Sequence, residues 1–190
     1  MKTTIPTQRL ILRPYRLSDA PALQIGANSL AVARNLGRMP HPYPEGEAER
    51  WIATHDDLRA RGVGYPFAIE RNGELLGTMS IAQYDTHDCD FEIGYWIAEP
   101  FWGQGFATEA ARAVLTFAFD TLELPFVRAR TIADNKDSAR VLGKMGFLAT
   151  ERRRKLHPVR QEDVEMIHLI LPHNAFIRDA GPEEKVYKAA

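Results

Sequence analysis

Between Pro100 and Ala110 the chain reads Pro-Phe-Trp-Gly-Gln-Gly-Phe-Ala-Thr-Glu-Ala, a glycine-containing turn set between an aromatic, β-branched run and a long helical pattern. Glycine lets the backbone turn tightly and approach a ligand with no Cβ in the way. The first N–H groups of the helix that follows have no partner inside it. Several such donors aimed at one spot form an anion cradle, suited above all to phosphate. The same arrangement is also an ordinary structural connection. It is neither Gly-x-Gly-x-x-Gly nor Gly-x-x-x-x-Gly-Lys-Ser/Thr, so the Rossmann and P-loop readings fail at the residue level.

Other reactive side chains give less. Cys89 is the one cysteine, and a lone cysteine without a motif is more simply a small buried hydrophobe than the nucleophile of a ping-pong route. The six histidines show no ligand spacing, His168 and His173 straddle a strand end, and no metal is expected. Arg152-Arg153-Arg154-Lys155 reads as a solvated strand edge that could also meet an acidic partner. His41, Tyr43 and Trp51 read as packing residues.

The elements that must position these groups follow from periodicity and punctuation. Arg9–Arg13 is a short strand stopped by Pro14, and Ser18-Asp19 starts a helix at Ala20. After the stiff His41-Pro42-Tyr43-Pro44, apolar spacing predicts a helix from Glu45 to Arg61. Asn72-Gly73 between Phe67–Glu70 and Leu75–Tyr84 predicts an antiparallel hairpin. Phe91–Ile97 is the fourth strand, closed by Pro100, and Gly105–Leu122 the longest helix, largely buried. Val127–Ala133 is the fifth strand, Asn135–Met145 a short helix ending at Gly146, and Phe147–Leu156 and Val164–Leu171 the last two strands. No repeat or linker divides the chain: residues 1–179 form one domain and 180–190 a polar tail.

Composition bounds the function. A chain of 190 residues, 45% hydrophobic and 26% charged, is that of one globular domain able to bury a core. A formal net charge of -1 provides no pull toward a nucleic-acid backbone. No apolar run approaches the roughly 20 residues needed to cross a bilayer, and Met1–Gln8 has no signal-peptide character, so the expected location is the cytoplasm.

The order of these elements, with Asn135-Lys136-Asp137-Ser138 and Leu142–Phe147 after the long helix, resembles the GNAT superfamily of N-acetyltransferases. Thr7–Pro14, Phe101–Ala110 and the Asn-x-x-Ser pair resemble its RimJ/RimL-like branch, which contains the ribosomal-protein N-terminal alanine acetyltransferases. The resemblance covers nearly the whole chain. It implies an α/β (α+β) fold with a mixed, mostly antiparallel seven-stranded sheet, helices on both faces, and a splay between the fourth and fifth strands. It implies acetyl-CoA as co-substrate. Trp102, Gly103, Gln104, Gly105, Phe106, Ala107 and Thr108 would form the diphosphate cradle, with main-chain N–H groups from Gln104, Gly105, Ala107 and Thr108. Main-chain groups of Trp96 and Ile97 would lie beside the pantetheine amides, and Asn135 would bond the same arm. The superfamily's cradle begins with Gln or Arg where this chain has Trp102, a departure typical of the branch. Family members are commonly dimers, which makes a homodimer possible here. The basic run Arg152–Lys155 could meet the CoA 3′-phosphate as well as an acidic acceptor, and the segment around His41, Tyr43 and Trp51 sits where the family builds its acceptor wall.

An amine attacking a thioester must be neutral, and the departing thiolate is helped by a nearby donor. Glu92 is the candidate base, directly or through water, against the plainer reading of a solvated strand-end carboxylate. Ser138 is the candidate proton donor to sulfur and a contact to CoA, against the plainer reading of a helix-capping hydroxyl. The expected reaction is direct attack in a ternary complex, on a protein or peptide α-amine. A small-molecule amine (polyamine, amino acid or antibiotic) and a non-catalytic acyl-CoA-binding module are the alternatives. An α-amine with a pKa of about 7.7 to 8.0 is roughly one-tenth neutral at pH 7, which suits a site without an obvious strong base.

Overall fold

In the computed structural model, which describes residues 3–83 and 90–178, the hairpin at Asn72-Gly73 forms as its turn chemistry requires. Asn72 (φ 51°) and Gly73 (φ 83°) both adopt the left-handed conformation that a two-residue turn of matching twist needs. The turn joins β3 (Gly64–Arg71) to β4 (Glu74–Gln83). Around them lie β1 (Ile5–Pro6), β2 (Ile11–Arg13), β5 (Phe91–Ile97), β6 (Phe126–Ile132), β7 (Leu148–His157) and β8 (Glu162–Pro172). The sheet order is β1-β2-β3-β4-β5-β6-β8-β7. Every neighbouring pair is antiparallel except β5 with β6, which is parallel.

The seven expected strands are all present, and Ile5–Pro6 adds an eighth at the edge. The expected helix over 45–61 is two: α3 (Glu47–Ala53) and α4 (His55–Ala60). They part at Thr54, whose amide and hydroxyl both donate to the Trp51 carbonyl, at 3.1 and 2.7 Å. A side chain that competes for a helical acceptor disturbs the ladder there. Ahead of them are α1 (Ala20–Ala27) and a single turn, α2 (Leu30–Ala33), capped by Ser29 and not anticipated from the sequence. The remaining helices are α5 (Phe106–Asp120) and α6 (Lys136–Met145).

Side-chain alternation along β5 divides the molecule into two layers. Ile93, Tyr95 and Ile97 face the larger core, filled by the apolar side of α5, with Ala110, Ala111, Val114 and Leu115 fully buried. Trp96 faces the smaller core, formed with Leu23, Val32, Tyr43 and Ile52 from the α1–α3 side. Helices therefore cover both faces of the sheet. A buried cation locks its N-terminal edge: Arg13 on β2 donates to Glu70 on β3 at 2.5 Å and to both oxygens of Asp19 at 2.7 and 2.9 Å. Burial alone would raise the Asp19 carboxyl, but Arg13 and the Arg16 amide hold it below its ordinary value.

β5 and β6 pair only at Glu92↔Arg128 and Ile93↔Ala129, and from Gly94 onward they diverge. On its other side β5 stays paired with β4 to Gly77↔Ile97. This is the expected splay, and it leaves one backbone edge of Gly94–Ile97 without a strand beside it.

His55 packs edge-on against Trp51 and Tyr15, and neither of its buried ring nitrogens has a partner. Burial, assisted by Arg59, pushes it down to about 4. The native state thus disfavours the imidazolium, so this residue's contribution to stability is complete above about pH 6.5 and is lost as the pH falls toward 4. His55→Leu should flatten the fall of the melting temperature between pH 6.5 and 4.5; an unchanged slope would mean that another group drives it.

Candidate active site

The splay opens into a cavity of about 890 Å³ that runs from the Gly103–Thr108 turn, past Gly94–Ile97, to the inner faces of β6, β8 and β7. At one end a 3₁₀ turn at Glu99–Phe101 leads into Gly103 (φ 73°) and Gly105 (φ 79°), the latter capping α5. No side chain caps this helix, and its first internal bond runs from the Glu109 amide to the Gly105 carbonyl. The amides of Phe106, Ala107 and Thr108 precede that bond, in residues that line the cavity.

Of the two reasons the sequence offers for glycine here, a tight turn and the close approach of a ligand, the backbone conformation bears on the first. A Cβ on Gly105 would lie 3.4 Å from Nη2 of Arg9, and one on Gly103 would meet nothing within 4 Å. The left-handed backbone, with φ 79°, by itself favours glycine at position 105.

Trp102 is 44% exposed, and its Nε1 donates to the Ile97 carbonyl at 2.6 Å, fastening the turn to the splayed edge of β5. The Ala98 amide donates to Leu76 on β4 at 2.8 Å, and strand parity turns the main chain of Trp96 the same way. The expectation for Trp96 is therefore corrected. Its main-chain groups belong to the β4 ladder and its indole lines the cavity, while Tyr95 and Ile97 present the splayed edge. Gln104 is exposed, its side-chain Nε2 donating to the Pro100 carbonyl at 3.3 Å.

Glu92 and Ser138 both line the cavity but arise from opposite faces of the sheet. Glu92 lies on the same face as Gly94 and Trp96, and its carboxylate accepts from Arg130 Nε at 2.7 Å. Ser138, on the first turn of α6, has its amide capped by Asn135 Oδ1 at 3.1 Å. Its hydroxyl lies 3.0 Å from that of Tyr95. Burial, only partly offset by this bond, pushes the Tyr95 phenol up to about 12, so it stays protonated at neutral pH. Sequence reasoning placed Tyr95 on its strand but missed this pairing. The alternation of β5, which turns Tyr95 toward α6, is the signal that could have found it.

The far wall is built by residues the sequence read as packing or solvated. Tyr43 and Trp51 line the cavity from the α3 side, as do Arg153, Arg154 and Lys155 from the edge strand β7, where Arg152 and Arg153 pair with Glu165 and Glu151. Arg160, at the β7–β8 turn, was not anticipated: it donates to the Arg34 carbonyl at 2.7 Å, to Asp134 at 2.6 Å and to Asn35 Oδ1 at 3.2 Å. No local pattern reveals contacts between residues some 125 positions apart. His41 does not line the cavity, and His173 stacks on Phe119 with ring centroids 4.8 Å apart. Cys89 lies outside the described residues. Among the described residues no group of three or more His, Cys, Asp or Glu converges as a metal site would, and no helix is long and apolar enough to cross a membrane.

Comparison with known proteins agrees with this geometry. The family model described as an acetyltransferase (GNAT) domain matches residues 9–148. A Bacillus subtilis (strain 168) protein described as the uncharacterized N-acetyltransferase YoaA is 34% identical over 145 residues, covering 75% of this chain and 81% of its own. The ribosomal-protein-serine acetyltransferase of Escherichia coli (strain K12) is 31% identical over 104 residues, 55% of this chain and 58% of that protein. Among solved structures, RimL, a ribosomal L7/L12 alpha-N-protein acetyltransferase in complex with coenzyme A, superposes with a TM-score of 0.81 over 91% of this chain and 99% of that one. At 20% identity that likeness speaks for the fold.

Gly105→Ala should lower the stability of the ligand-free protein by about 1–2 kcal/mol through its positive φ. Gly103→Ala tests the same strain with no neighbour to strike. Thermal melts of both without ligand check this; an unshifted Gly105→Ala would return the requirement to the ligand.

Proposed function

This chain belongs to the GNAT acetyltransferase family and is an acetyl-CoA-dependent N-acetyltransferase, and we propose that its acceptor is the N-terminal α-amine of a protein or peptide. The observation that carries the reading of the site is the meeting, in one cavity, of an unpaired strand edge with an uncapped helix start. Extended amide groups can add to the first as a strand would, and a diphosphate suits the second. In this reading the amides of Gly105, Ala107 and Thr108 hold the diphosphate, with Gln104 contributing through the same turn. Tyr95 and Ile97 meet the pantetheine arm. Asn135, its Oδ1 occupied by the α6 cap, has its Nδ2 to donate to that arm.

The two faces of β5 divide the chemistry. The amine arrives on the Glu92 face, where the carboxylate, fixed in direction by Arg130, accepts its proton directly or through a water. The thioester sulfur lies on the other face, toward Ser138. Tyr95, which keeps its proton, donates to the Ser138 oxygen and leaves the Ser138 hydroxyl free to donate to sulfur as the C–S bond breaks. No acyl-enzyme is required, so attack is direct. The α-amine reading is supported by the RimL and ribosomal-protein-serine acetyltransferase relatives, and by the ease with which an α-amine becomes neutral near pH 7. Its setting is proposed to be the cytoplasm.

Acetyl-CoA should raise the melting temperature, a ligand at 100 times its Kd adding about 2.7 kcal/mol, and a panel of N-terminal peptides and small amines should be acetylated with peptides preferred. No thermal shift at saturation would overturn the cavity assignment, and preference for a small amine would overturn the acceptor.

Glu92→Gln should lower kcat by about 100-fold with CoA affinity nearly unchanged. Ser138→Ala should lower kcat as well, and should do so less with an acyl donor whose thiol is more acidic, since a better leaving group needs less help. If both variants kept wild-type kcat, neither residue would be catalytic.

A further inference from the structure

Thr7 and Arg9 do not line the cavity, yet they are wired to the turn that borders it. Arg9 lies behind that turn. Its Nη1 donates to the Gln104 carbonyl at 2.9 Å and its Nε to Glu109 Oε2 at 2.6 Å. The other Glu109 oxygen accepts from the Arg9 amide at 2.7 Å and from the Thr7 hydroxyl at 2.6 Å. The guanidinium also lies 4.7 Å over the Phe106 ring, so it is held from three directions. Burial alone would raise the Glu109 carboxyl, but the bonds from Thr7 and Arg9 keep it below its usual value, and the pair is ionic at neutral pH.

A trans peptide points its carbonyl and its N–H in opposite directions. With the Gln104 carbonyl tied back to Arg9, the N–H of the same peptide, that of Gly105, turns to the cavity side. Left alone, this peptide has little to choose its orientation. A flip exchanges the signs of the flanking dihedrals, and glycine populates positive and negative φ about equally. The tie to Arg9 supplies the choice. Glu109 in turn fixes the guanidinium from the first turn of the helix whose start it helps to arrange.

We infer that Arg9, clamped by Glu109, is a positioning residue that aims the Gly105 N–H at the diphosphate of CoA, an inference that rests on the cavity being the acetyl-CoA site. A planar guanidinium serves the carboxylate and the carbonyl together, whereas an ammonium reproduces the charge without the fork.

Calorimetric titration of full-length wild type, Arg9→Met and Arg9→Lys with CoA, 3′-dephospho-CoA and pantetheine tests the inference. Arg9→Met should weaken CoA and dephospho-CoA alike by about tenfold or more, the scale of one lost hydrogen bond to a charged group, and pantetheine by less than about twofold. Arg9→Lys should fall between, and it carries the test if Arg9→Met does not fold. Equal weakening of all three ligands, or of none, would overturn the clamp, and so would a loss confined to CoA, which would place Arg9 at the 3′-phosphate. If the wild-type protein binds no CoA, the reading of the cavity falls first, and this inference with it.

Discussion

Parallel strands cannot be joined by a tight turn, so β5 and β6 must be linked by a crossover, here α5. After two paired positions they separate, and the rest of the architecture answers that separation. A buried backbone edge with unmet N–H and C=O groups costs free energy unless something pairs with it. Trp102 satisfies one of those groups, the Ile97 carbonyl, and in doing so places the start of α5 beside the gap. Strand edge and helix start are thus coupled through one indole, which gives a physical reason for Trp102 where the wider superfamily carries Gln or Arg.

Alternation along β5 also separates two environments. Glu92 and Tyr95 are three positions apart on one strand, so alternation sends them to opposite faces. On one face the carboxylate of Glu92 is ion-paired with Arg130. The other buries the phenol of Tyr95 almost completely, so that it remains a donor across the physiological range. A carboxylate and a protonated phenol can share one strand when each has its own surroundings.

Much of the fold was legible because its signals are local. Asn72-Gly73 fixes a turn, the spacing of Ala110, Val114 and Ala118 fixes the buried side of α5, and Gly146 (φ 95°) ends α6 in the left-handed conformation. The break at Thr54 was hidden because it arises from a hydroxyl competing for one carbonyl within a sound amphipathic pattern. At the site, the sequence singled out Glu92, Ser138 and the glycine turn, which line one cavity. The direction of the Trp96 main chain was not, since it depends on the register with β4, nor was the role of Arg9, which follows from a carboxylate 100 positions away.

Arg160, which does not itself line the cavity, ties together segments beside its far wall in a comparable way. Its side chain is only 7% exposed and holds the tip of the β7–β8 hairpin to Arg34 and Asn35 beyond α2 and to Asp134 ahead of α6. One guanidinium therefore bridges three stretches of chain, two of which are also joined through the β6–β8 ladder. In folding terms a side chain that ties several segments at once makes their local openings interdependent, so that opening at one weakens the hold on the others.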